Sequence, residues 1–173
     1  ELARDILGEA IRSIPLPMRH YAPDGAGTEG ATYWDYGSRY NILYMSSLET
    51  ALGTDFGLAD IPGFKESGQY QMHISGPSRL PYDFADCGMR RMGTAMHFWM
   101  GKRFAIPEYS WFRYNELIRP DEHATVLDFL WYDGQGSNFD PTTLALDKHF
   151  RGAEVASMRS TWTNEDGLGI GIQ

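Results

Sequence analysis

The chain of 173 residues has a single cysteine, Cys87. That excludes an internal disulfide framework and a zinc site built on cysteines. No apolar run approaches the roughly 18 residues of a membrane-spanning helix. Positive charge is scarce, with 15 Lys and Arg against 23 Asp and Glu, a net charge of −8. Nucleic-acid binding needs a basic stripe that releases counterions, so it is not expected. An anionic membrane surface is excluded on the same ground. A small or extended anionic ligand stays open, because a local cluster of basic side chains can oppose the overall sign. Disorder is excluded by a composition that is 42% hydrophobic and 14% aromatic.

What is present reads mostly as helix. Leu2, Ile6, Leu7, Ala10, Ile11 and Ile14 recur at helical spacing, and Pro15 and Pro17 close that segment. Residues 21–30 are a Gly- and Pro-rich loop with a Pro23-Asp24-Gly25 turn. A second helix is predicted from Thr32 to Leu52, with Tyr36, Tyr40, Tyr44 and Leu48 on one side and Gly53 as its C-terminal stop. Residues 53–87 show no long period, although 69–75 alternate weakly enough to suggest a short strand. A third helix is expected over 88–104 on a stripe of Met89, Met92, Met96 and Met100, read as core, with His97 as a buried histidine. A fourth follows over 109–118. A short fifth begins at Pro120 and carries Val126, Leu127, Leu130 and Trp131. Period-two patterning then appears over 150–162 and again from Leu168, separated by a turn at Asn164–Gly167. The fold expected is mainly α, with residues 1–140 helical and 141–173 opening an antiparallel β-domain. Both ends read as cut inside patterned segments, so the chain is expected to be a piece of a larger protein.

The residues that suggest chemistry gather in 23–41. A flexible loop delivers Glu29 and Gly30 to the start of a helix that carries Tyr33, Trp34, Tyr36, Arg39 and Tyr40 in quick succession. A phenol near a helix N-terminus and a guanidinium has its anion favoured. Such a group suits acid–base work on a sugar, flanked by stacking aromatics. The competing reading is a tyrosine-rich helix packed in a core. Arg39 offers bidentate bonds to a carboxylate, or is a solvated helix charge. Glu29 either orients a reacting group or caps the helix. Trp34 either stacks on a sugar or packs. His73 and Asp86 are placed at a cleft rim, with local backbone bonding as the alternative. Arg90 and Arg91 read as a solvated helix face. Cys87 has no partnering histidine motif, and nothing in the sequence suggests a metal site or a cofactor.

The segment 28–41, TEGATYWDYGSRYN, resembles the Glu-Gly-x-x-Tyr-x-x-Tyr stretch of heparinase II/III-like polysaccharide lyases, including their alginate lyase relatives. Segments 47–58, 76–77, 84–88 and 150–162 are similar to the same family, so the resemblance covers nearly the whole chain. It implies part of an incomplete (α/α) toroid followed by the first strands of an antiparallel β-domain. It also implies β-elimination on an anionic uronate polysaccharide, in a secreted or periplasmic setting. Tyr33 maps to the family's acid, which in some members is also the base, with Tyr36 as the fallback. Glu29, Trp34, Tyr36, Arg39, His73 and Asp86 are the expected substrate-binding residues. The family's neutralising Asn/His pair and its second histidine have no counterpart here, so the chain alone is expected to be a poor catalyst. Two other readings stand beside this one. One is an α/α-barrel glycoside hydrolase using Glu29 with Asp35 or Asp86; the other is a non-catalytic carbohydrate-binding remnant.

Overall fold

The longest helix is bounded at both ends by glycine. In the computed structural model, which describes residues 1–89, 94–119 and 122–173, it runs Ala31–Leu52. Gly30 precedes it at φ 85°, and Gly53 ends it in the left-handed region with its N–H bonded to the Glu49 carbonyl. This is the third helix in chain order. It follows α1 (Leu2–Ser13) and a one-turn α2 (Pro15–Met18), which Pro15 opens as well as separates from α1. Then come α3 itself, α4 (Ser67–Ile74), α5 (Met96–Phe104), α6 (Pro107–Leu117) and α7 (Val126–Trp131). Strands β1 (Asp147–Phe150), β2 (Val155–Arg159) and β3 (Gly169–Ile172) form one antiparallel sheet in the order β1-β2-β3. The chain is thus about half helical with a small sheet at its end.

Several expectations change. Residues 69–75 are helical, not a strand: α4 is buried nearly all round, so it shows no amphipathic period, and Gln71 and His73 lie inside with Tyr70 and Met72. The third predicted helix starts only at Met96. Met89 is outside it and 65% exposed, while Met96 and Met100 are core. Met92, Arg90 and Arg91 lie outside the described residues, as does Pro120. The helix expected from Pro120 instead starts after Thr125, whose hydroxyl and the Asp128 carboxylate cap each other's backbone N–H. Of its four apolar positions, Trp131 is buried while Val126 and Leu130 face solvent. In α3 the buried side is Trp34, Asp35, Ser38, Ile42, Met45 and Leu48, so Tyr36 and Tyr40 lie off it.

One hydrophobic core runs from Met18 through Ile42, Phe64, Tyr70, Phe98 and Tyr109 to Phe150 and Val155 of the sheet. Gly68 permits the close crossing of α4 on α6: a Cβ there would lie 2.7 Å from the Tyr109 ring. The sheet's inner face carries Val155, Ser157 and Arg159, all buried. Arg159 Nη2 donates to the carbonyls of Met72, at 2.9 Å, and His73, at 3.2 Å, and to that of Ser75. It thereby satisfies the C-terminal end of α4. The β1–β2 turn is tied to the loop ahead of α3, because the Asp24 carboxylate accepts from Arg151 N at 2.6 Å and Gly152 N at 3.3 Å. Helix α1 has no buried residue, and Leu2 and Ile6 are exposed on its apolar side.

Candidate functional site

Loop 26–29 and the first turns of α3 enclose a cleft of about 530 Å³. Glu29, Tyr33 and Trp34 line it, joined by His20, Tyr21 and Asn41. The loop wall is fixed where the Tyr70 hydroxyl donates to the Gly27 carbonyl at 2.9 Å. The floor is a hydrogen-bonded set. The Tyr21 hydroxyl lies 2.8 Å from Ser38 Oγ, and Asn41 Nδ2 donates to it at 3.1 Å. Burial pushes the Tyr21 phenol above its ordinary pKa, so it stays a neutral hydrogen-bonding group.

Tyr33 is half exposed, at 47%, on the first turn of α3. Tyr36 and Tyr40 follow at the spacing that places them beside it, at 61% and 57% exposed. Their rings meet edge to face, with centroids 5.0 Å apart. The packed-core alternative therefore does not hold for these three tyrosines, which form an exposed aromatic stripe leading to the cleft.

Other expected site residues are elsewhere. Trp34 is 4% exposed and packs toward Tyr70 and His97, while still contributing to the cleft wall. Arg39 does not line the cleft and is not beside Tyr33; it pairs with Asp35 one turn back. That buried carboxyl is held above its ordinary pKa by desolvation, opposed by the Arg39 charge and the Thr94 hydroxyl. Asp86 is exposed on loop 84–88. That loop packs on the start of α3, where Gly88 N donates to Thr32 Oγ1 at 3.0 Å. A Cβ at Gly30 would lie 2.7 Å from the Phe84 carbonyl oxygen, so glycine is what lets the loop and helix meet. His73 is remote from the cleft, buried in α4 against Phe150 and Trp162. Burial, then the charges of Arg159 and Lys148, lower its pKa to about 3, so it is neutral.

Asn41 was legible in principle, since 33, 37 and 41 share a helical face. His20 was not, because only the fold of the 19–21 turn brings it over α3. Glu29 is the one carboxylate lining the cleft among the described residues. His97 is core: fully buried, with Nε2 3.2 Å from the Gly68 carbonyl. Among the described residues no three His, Cys, Asp or Glu side chains gather as a metal site. No described helix is long and apolar enough to cross a membrane. No protein-family model and no curated protein sequence matches the chain.

Proposed function

We propose that the protein is a polysaccharide lyase of the heparinase II/III-like type, acting on an anionic uronate polysaccharide outside the cytoplasm. On this reading helices α1–α7 are part of an incomplete (α/α) toroid, and the sheet from about residue 141 opens the β-domain. One observation carries the reading: the exposed Tyr33–Tyr36–Tyr40 stripe runs into a cleft that Tyr33 shares with Glu29, His20 and Asn41. Sugar rings stack on exposed aromatic faces, and the cleft supplies hydroxyl, amide, imidazole and carboxylate groups for sugar hydroxyls.

In β-elimination the proton on C5 of the uronate leaves to a base. Its electron pair forms the C4–C5 double bond, and the C4–O4 bond breaks. Acting as both base and acid, the Tyr33 oxygen takes the C5 proton and passes it to the departing O4. Its place at the cleft wall allows that transfer. The exposed position of Asp86 on the adjoining loop suits a contact with sugar hydroxyls at the rim.

The test follows absorbance of the unsaturated product when the full-length protein meets a panel of uronate polysaccharides. Tyr33→Phe is expected to lower the rate by about 10²–10⁴-fold, the usual contribution of a positioned acid or base. Wild type and variant equally silent on every substrate would sink the reading. A glycoside hydrolase would require a second carboxylate across the cleft; Asp35 is buried against Arg39, and neither it nor Asp86 is in that lining.

A further inference from the structure

A second pocket, of about 380 Å³, lies in the seam between α4, the 76–83 loop and strands β2 and β3. It shares no lining residue with the Tyr33 cleft. Its buried polar wall is His73, Ser157 and Arg159, and exposed Ser78 and Asp83 complete the polar lining. Strand alternation puts Ser157 and Arg159 on one face, the buried one. Ser157 Oγ and His73 Nδ1 are buried with no hydrogen-bond partner among the described residues, and both residues are 6% exposed. Native interiors rarely leave such groups unfilled without a bound water, ion or ligand.

On the buried side the charge is positive, while the exposed carboxylate of Asp83 also lines the pocket. Arg159 spends Nη2 on three carbonyls, and no acidic side chain pairs with it among the described residues. Lys148, which faces Ser157 across the β1–β2 ladder, donates to the neutral Gln69 at 2.8 Å. Arg159 is thus the one cation in the pocket's lining among the described residues, and Lys148 stands on the neighbouring strand outside it. The apolar side includes Leu80 and Tyr82, with Ile74, Met158 and Leu168. The Tyr82 ring lies where a Cβ at Gly171 would be, 2.4 Å from its Cγ, so β3 can approach only as glycine.

We propose that this pocket is a binding site for a small carboxylate-bearing ligand, up to the size of one sugar-acid ring. Ser157 and His73 donate to the carboxylate, Arg159 balances its charge, and Tyr82 covers the apolar part of the ligand. The neutral state of His73 is compatible, since one ring nitrogen still carries a proton to donate. The volume lies within the range of small-molecule sites. A carboxylate fits better than a phosphate, because the donors are few, the nearest full positive charge is one guanidinium, and exposed Asp83 stands at the lining. The site does not depend on the lyase reading, and each can fail alone.

The test is an amide-shift NMR titration of the full chain with D-galacturonate and with D-galactose, which differ in the carboxylate. Galacturonate is expected to give saturable shifts at Ser157 and over 167–171, and galactose none there. Ser157→Ala and His73→Leu, each of which removes the polar group at close to the original volume, should each weaken binding about tenfold, the worth of one hydrogen bond to a charged group. Either variant is scored only if its spectrum keeps native dispersion, so that lost binding is not lost folding. No saturable shift, an equal response to galactose, or unchanged affinity in both folded variants would overturn the proposal. Inorganic phosphate binding the same amides as tightly would overturn the choice of a carboxylate.

Discussion

Arg113 of α6 holds Asp128 of α7 by two parallel bonds, Nε to Oδ1 at 2.7 Å and Nη2 to Oδ2 at 2.9 Å, with both side chains almost fully buried. Asp128 also accepts from Thr125 N and from the Thr125 hydroxyl, each at 2.8 Å. One carboxylate therefore closes a helix cap and neutralises a buried guanidinium, and its pKa is lowered against the pull of its own burial.

Removing Asp128 leaves Arg113 without its closest counter-charge in a dry setting. Asp128→Leu is expected to lose about 3–5 kcal/mol in denaturant unfolding. The paired change Arg113→Met with Asp128→Leu should lose clearly less, because no charge is then stranded. Equal losses for single and double variants would show that the ion pair itself carries the stability.

The buried histidines set the acid side of stability. In the folded protein His73 has a pKa lowered to about 3 and His97 to about 4, both chiefly by burial, against about 6.5 when unfolded. The unfolded chain therefore binds more protons between those values. Stability should be flat from pH about 7 to about 9, below the titration of the unfolded chain's tyrosines, and fall as pH drops from about 6.5 toward 4. Each histidine contributes up to about 1.4 kcal/mol per pH unit in that window. Asp55 and Asp128, whose pKa values are lowered, add their loss only as pH falls through the carboxylate range. His97→Gln, followed by unfolding midpoints against pH, should flatten the upper slope.

Gly30, just ahead of α3, and Gly37, within it, should respond with opposite sign. Gly30 has φ 85° and no room for a Cβ, so Gly30→Ala is expected to cost at least about 1–2 kcal/mol and to displace loop 84–88. Gly37 sits mid-helix with nothing within 4 Å of a built Cβ. Gly37→Ala should therefore stabilise by about 0.5–1 kcal/mol. Thermal unfolding of the two variants checks both directions.

The tyrosine stripe can be separated from folding. Tyr36→Ser with Tyr40→Ser removes two exposed rings, so stability should change by no more than about 1 kcal/mol in total. Oligosaccharide affinity, measured calorimetrically, should fall if the stripe is the sugar platform. Undiminished affinity would remove the stripe from the substrate path.

How much of this was readable depended on whether a segment's surroundings matched its local pattern. Helix α3 announced itself by the spacing of Tyr36, Tyr40, Tyr44 and Leu48 and by Gly53 as its stop, yet which side it buried did not. Tyr36 and Tyr40 outrank Ser38 in hydrophobicity, but Ser38 is the residue inside, where it meets the Tyr21 hydroxyl. Helix α4 was opaque because the interior around it is polar as well as apolar, so its eight residues carry no contrast between faces. Strand β1, with Asp147, Lys148 and His149 before Phe150, offers no alternation; its partner strand defines it. In the site, Tyr33 and Glu29 were legible because their chain neighbours are also their neighbours in space. His20 and the remoteness of His73 were not, since each depends on a turn or crossing made far along the chain.

The Asp24 link to the β1–β2 turn bears on how the cleft behaves under strain. Loop 22–30 is held by the hairpin at Asp24, by α4 through the Tyr70 bond to Gly27, and by α3 at its end, so it works like a strap pinned at three points. The spacing between hairpin and helix then sets the gap into which Glu29 and Tyr33 project. A change in the hairpin that never touches the cleft would still widen or narrow its mouth.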